Sequence, residues 1–169
     1  MNDHRSVLGR EAESGDRRFP MGNPSLPRIN VQNLQRKISV NVAELERFAA
    51  NALQHCLHLP KGKRSDLRKS RELFVWLISD RRMALLHRKF LGQSGPTDVL
   101  TFQHGEIFIS VETARRHARA FGNSLMRELK LYIVHGLLHL HRFDDQTPAE
   151  ARRMNTAQEK ILRACSRDR

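Results

Sequence analysis

The chain has 169 residues, is 39% hydrophobic and carries 30 Lys+Arg against 18 Asp+Glu, a formal charge of +12. That suits one globular domain with an adequate core and a polyanionic partner. No apolar run approaches the ~20 residues of a membrane span, the N-terminus lacks the apolar centre of a secretory signal, and the two cysteines, Cys56 and Cys165, are too far apart in sequence to read as a disulfide framework or a Cys-based zinc site. The expectation is a reduced, cytoplasmic protein with no membrane partner.

Residues 1–28 are polar, hold Pro20, Pro24 and Pro27 and show no apolar period, so a disordered extension is expected there, with Met21 as an alternative start. Five arginines and four acidic residues in that segment leave it only +1, so the charge excess belongs to the folded part, expected over 29–164. A short strand is expected at 29–32. Asn41 caps a helix through position 57, with Val42, Leu45, Phe48, Ala49, Ala52, Leu53 and Cys56 on one stripe. The apolar run at 73–78 predicts a central strand buried on both faces, and Ser79-Asp80 opens a helix to 91. Strands follow at 98–102 and 105–110, then a helix over 111–121 that ends at Gly122. Ser124 caps a helix whose 131–140 stretch is apolar almost all round, the pattern of a buried central helix. Thr147-Pro148-Ala149-Glu150 combines an N-cap, a first-turn proline and a reciprocal glutamate, predicting a last helix to 164 and a charged tail at 165–169. The whole predicts an α/β or α+β layered domain. Its basic clusters, Lys61-Gly62-Lys63-Arg64, Arg81-Arg82, Arg88-Lys89 and Arg152-Arg153 among them, fit either solvated helix faces or a nucleic-acid surface.

The chemistry concentrates in Val134-His135-Gly136-Leu137-Leu138-His139-Leu140. Imidazoles four apart on a helix lie one above the other and can converge on one ion. Asp145 lies too far round an unbroken helix to join them, but the polar run from Arg142 to Pro148 supplies a turn that can return it as a third ligand. Two nitrogens and one oxygen leave a fourth position for a catalytic water held by His135, His139 and Asp145. A zinc peptidase places glutamate after the first histidine, where this chain has Gly136, so proteolysis is disfavoured. His141, six residues from His135, is expected at the surface. His87, His104 and His117 have no ligand spacing.

Ile29-Asn30-Val31-Gln32-Asn33, Pro96-Thr97-Asp98-Val99-Leu100-Thr101-Phe102, Gly105-Glu106-Ile107-Phe108-Ile109 and His135-Gly-Leu-Leu-His139-Leu with Phe143-Asp144-Asp145 together resemble the YbeY family over 29–164. The resemblance implies a zincin-like α+β fold, a small mixed sheet packed against helices with a central metal-bearing helix. It also implies one zinc ion, cleavage of single-stranded RNA, maturation of small-subunit ribosomal RNA and ribosome quality control. RNA and the ribosomal small subunit are then the expected partners, and DNA is not.

Four positions depart from that family, one of them Ser94, where its loop has an aspartate. Its third histidine falls on Asp145, a competent zinc ligand whose charge makes the metal a weaker Lewis acid. Its glycine after the helix falls on Arg142, where a left-handed backbone costs on the order of 1 kcal/mol, so the turn is expected to differ in detail. Its phosphate-contacting arginine falls on Leu91, which cannot neutralise a phosphate; Arg88 or Arg82 on the same helix are the substitutes. Arg88, Thr97 and Asp98 are the substrate-binding candidates, although Asp98 equally suits a cap for backbone amides in its turn. The competing reading is a metal-stabilised, RNA-binding ribosome-assembly factor that cuts nothing.

Overall fold

Residues 26–60 and 65–167 are described by the computed structural model. Most of the expected N-terminal extension and the basic run Lys61-Gly62-Lys63-Arg64 lie outside the described residues. In chain order the elements are β1 (Arg28–Asn33), α1 (Val42–Leu57), α2 (Asp66–Lys69), β2 (Glu72–Ile78), α3 (Asp80–Leu91), β3 (Val99–Phe102), β4 (Glu106–Ser110), α4 (Val111–Phe121), α5 (Leu125–Leu140) and α6 (Pro148–Arg167). One mixed sheet has the order β1-β2-β4-β3. β1, β2 and β4 are parallel, and β3 pairs antiparallel with β4 as an edge strand.

The helix starts follow from side chains that satisfy otherwise orphaned backbone donors. Asn41 accepts from Glu44 N, Ser79 from Arg82 N and Ser124 from Arg127 N. At α6, Thr147 Oγ1 accepts from Glu150 N (3.2 Å) and Glu150 Oε2 accepts from Thr147 N (3.0 Å), the reciprocal pair read from the sequence. α6 runs on to Arg167, through part of the segment expected as a tail, because Cys165 extends its buried stripe of Met154, Ala157, Ile161 and Leu162 by another turn.

Leu73, Val75 and Leu77 of β2 and Ile107 and Ile109 of β4 are fully buried in one core shared with α1 and α5. Period-two alternation sends Phe74, Trp76 and Phe108 to the other face, where they stand half-buried and stacked on one another. β2 is therefore sealed on one face only, a correction to the strand expected from its unbroken apolar run; aliphatic and aromatic residues share that run but divide between the two faces.

α5 is the central helix, packed on α1, α4, α6, β3 and β4. Gly136 is where it comes closest to the sheet: a Cβ there would stand 2.8 Å from Ile107 Cδ1 and Cγ2. The residue after His135 thus faces β4 at a distance that admits no side chain, so a peptidase-type glutamate has no room in this fold.

Candidate metal centre

His135 and His139 project from the last two turns of α5 with their rings in contact, centroids 4.5 Å apart. The chain then reverses. His141 N donates to Leu137 O, Arg142 N to His139 O and Phe143 N to Leu138 O, and Arg142 takes a left-handed φ of 68°. The last two of those bonds and the φ form a Schellman motif, with Phe143 packed back on the core. The turn expected to differ because it lacks glycine is the ordinary left-handed stop, with arginine accepting the strain. Arg142 Nη2 reaches Asp66 at the start of α2, 3.1 and 3.2 Å from its two carboxylate oxygens.

Beyond this stop Asp145 returns to the two rings. His135 Nε2 and His139 Nε2 are 3.0 Å apart, and Asp145 Oδ2 stands 3.7 Å from the first and 3.9 Å from the second. Ligand atoms ~2.0–2.2 Å from a tetrahedral ion are separated by roughly 3.3–3.5 Å, so these three spacings bracket what one zinc-sized cation needs. Among the described residues, His135, His139 and Asp145 form the group of this kind whose ligand atoms converge.

The ring tautomers point the same way. Gln158, 7% exposed on α6, has its Oε1 2.7 Å from His135 Nδ1. Its Nε2 donates to Asn155 Oδ1 (3.2 Å), which leaves Oε1 to face the ring, the arrangement in which Nδ1 donates and Nε2 is left for a metal. His139 hydrogen-bonds the Phe143 backbone. Burial, aided by the neighbouring His135 ring and partly opposed by Asp145, holds His139 below the ordinary histidine range, so at neutral pH it is the free base. Two imidazole nitrogens and a carboxylate oxygen then face one another within 3.9 Å. That donor set fits a divalent cation.

These ligand atoms open on a cleft of about 580 Å³ lined by Leu91, Val99, Leu100, Thr101, Gln103, Arg142 and Phe143 as well as the triad. Leu91, 56% exposed, stands in this wall. Arg88, Thr97 and Asp98 are not brought into its lining. Arg88 lies exposed on α3, and its carbonyl accepts the capping Gly92 N–H. Thr97 Oγ1 donates to Asp98 Oδ1, which also accepts from Val99 N (2.8 Å), so both side chains are engaged in starting β3.

His141 is a correction: it is fully buried, with Nδ1 2.8 Å from Ser65 Oγ and Nε2 3.1 Å from Leu59 O. Pointing away from the ligand face does not mean pointing at solvent on a helix buried nearly all round. Gln158 was not foreseen, yet a polar residue inside the apolar stripe 154, 157, 161, 162 is the signal that a buried partner exists. His87, His104 and His117 bond Gly95 O, Glu106 and Tyr132, away from the triad.

The Endoribonuclease YbeY family profile matches residues 30–166. The chain belongs to the YbeY family. Relatives named Endoribonuclease YbeY include one from Anaeromyxobacter sp. (strain Fw109-5), 37% identical over 107 residues that cover 57% of this chain and 56% of that protein. One from Bacillus licheniformis is 34% identical over 110 residues, covering 54% and 70%. The chloroplastic Endoribonuclease YBEY of Arabidopsis thaliana is 30% identical over 151 residues, covering 79% of this chain and 26% of that longer protein. The match thus spans little more than half the length of the Anaeromyxobacter relative. A Thermotoga maritima protein solved in solution shares the fold, with a TM-score of 0.54 at 24% identity, covering 83% of this chain and 93% of its own. No helix among the described residues is long and apolar enough to cross a membrane.

Proposed function

We propose that this chain is a metal-dependent endoribonuclease of single-stranded RNA that acts in small-subunit ribosomal RNA maturation and ribosome quality control in the cytoplasm, with residues 29–164 as its working unit. The observation that carries the reading is the meeting of His135 Nε2, His139 Nε2 and Asp145 Oδ2 at the mouth of one cleft. Family membership supports the reaction class. His135, His139 and Asp145 hold the metal, zinc by preference for two imidazoles and a carboxylate. When bound, that ion supplies Lewis acidity towards a phosphodiester. Gln158 keeps the His135 ring in its ligating tautomer, and the +12 charge draws in the polyanion.

The test is cleavage of an unstructured RNA by the purified protein, with metal content measured in parallel. Chelation and Asp145→Ala both abolish cleavage if the reading holds; cleavage equal to the parent after both refutes it. A second reading, a metal-stabilised ribosome-assembly factor that binds RNA without cutting it, is favoured by one observation. Leu91 occupies the cleft wall, where it neither pairs with nor neutralises a phosphate. Stoichiometric zinc and RNA binding without cleavage, with cleavage appearing in Leu91→Arg, establish that reading instead.

A further inference from the structure

The last turns of α3 leave three large apolar side chains in solvent: Leu85, Phe90 and Leu91 are 59%, 52% and 56% exposed. Phe90 is nonetheless held in place. Its ring meets Phe102 edge-on, centroids 4.9 Å apart at 72°, and Phe102 is buttressed by Phe108 at 5.6 Å and by a stacked His104 at 5.7 Å. Lys89 Nζ stands 5.4 Å from the Phe90 centroid. This aromatic group continues into the metal cleft at two points. Leu91, the next residue, lines that cleft, and so does Leu100, which shares a strand face with Phe102.

The charge around the ring selects the occupant. α3 carries Arg81, Arg82, Arg88 and Lys89, all exposed, while its one acid, Asp80, is engaged by Ser110, Thr113 and Arg116. An anchored, half-exposed ring among cations beside a cleft is the combination that holds single-stranded nucleic acid, bases stacked on the ring and phosphates on the cations. We propose that Phe90, backed by Phe102 and flanked by Lys89, stacks an unpaired nucleobase of the RNA strand that enters the metal cleft. The inference rests on the RNA reading above and deepens it: a base already stacked in a duplex cannot reach the ring, so the platform itself selects unpaired strands.

The experiment measures binding of a fluorescent, unstructured RNA oligonucleotide to the full chain in chelator, so that no cleavage intervenes, by anisotropy across a salt series. Phe90→Ala weakens binding roughly 5- to 100-fold at every salt concentration with the salt slope unchanged, whereas Lys89→Ala lowers the slope by about one. Phe90→Tyr keeps the parent affinity and Phe90→Leu does not, which separates stacking from plain apolar contact. Melting temperatures of the variants within a few degrees of the parent confirm that the fold is intact. Unchanged RNA affinity in Phe90→Ala overturns the proposal, as does full affinity in Phe90→Leu. So does loss of self-association in Phe90→Ala with RNA binding intact, since the patch is then a contact between two copies. A folded parent that binds no RNA either in chelator or with zinc restored overturns the functional reading itself, whereas a parent that binds in chelator and cleaves with zinc restored, alongside an indifferent Phe90→Ala, overturns only the platform.

Discussion

Gln158 Oε1 lies 2.7 Å from His135 Nδ1, so α6, which contributes no atom to the candidate metal triad, grips the far side of a triad ring carried by α5. Removing such a partner of a metal-binding histidine typically costs 10- to 100-fold in metal affinity. Gln158→Leu is expected to weaken zinc binding by about that much, measured by competition with a chromophoric chelator, while stoichiometry stays at one. Affinity equal to the parent shows that the amide does not orient the ring.

Gly136→Ala sets two effects against each other. Alanine gains ~1 kcal/mol of helix propensity over glycine, but its Cβ would stand 2.8 Å from Ile107 Cγ2, a branch atom that cannot swing aside, and overpacking of that kind costs ~1–3 kcal/mol. The net expectation is a loss of up to about 2 kcal/mol in urea unfolding, and the same change costs less when made in an Ile107→Ala background, whose own cavity costs ~2–5 kcal/mol. A Gly136→Ala protein more stable than the parent by the full ~1 kcal/mol of propensity means that α5 and β4 can part without penalty.

Burying His141 ties Ser65 and the Leu59 carbonyl to the end of α5. His141→Leu leaves those groups without their imidazole partner, a desolvation loss of ~1–3 kcal/mol. The urea midpoint falls while the m-value and the metal stoichiometry hold. A lowered stoichiometry places His141 among the ligands and contradicts the separation drawn between its role and theirs.

At Asp80 burial works against ionisation, yet hydrogen bonds from Ser110, Arg116 and Thr113 outweigh it and hold the carboxyl below its usual range. The folded pKa is thus below the unfolded one of ~3.9. The stabilisation is fully present above about pH 4 and is lost as pH falls through the folded value. Melting curves between pH 6 and pH 2 should show Asp80→Asn less stable than the parent at the upper end and the gap closing towards the acid end. A gap that widens on acidification reverses the sign and removes the network as its cause.

Most of the architecture was legible because short-range chemistry marks element ends. Asn41, Ser79, Ser124 and Thr147 each cap the helix they announce, and the left-handed Gly92 and Gly122 close two. α2 was not legible, since its four residues hold no period to detect. The triad was legible through helical spacing plus a turn. Which faces of β2 and of α5 meet solvent was not, because that depends on what packs against each strand and helix, and Phe108, on which Trp76 stacks, and Ser65, which His141 bonds, lie 30 or more residues away in the chain.

Among the described residues Arg142 is the non-glycine with positive φ, and its guanidinium is anchored on Asp66, 76 positions earlier in the chain. The stretch that delivers Asp145 therefore leaves from a twisted backbone steadied by a distant segment. Tolerance to mutation in α2 should accordingly track cation retention and not helix content: a change at Asp66, which is not among the three proposed ligands, is expected to let the loop untwist and carry the carboxylate away from its two imidazoles.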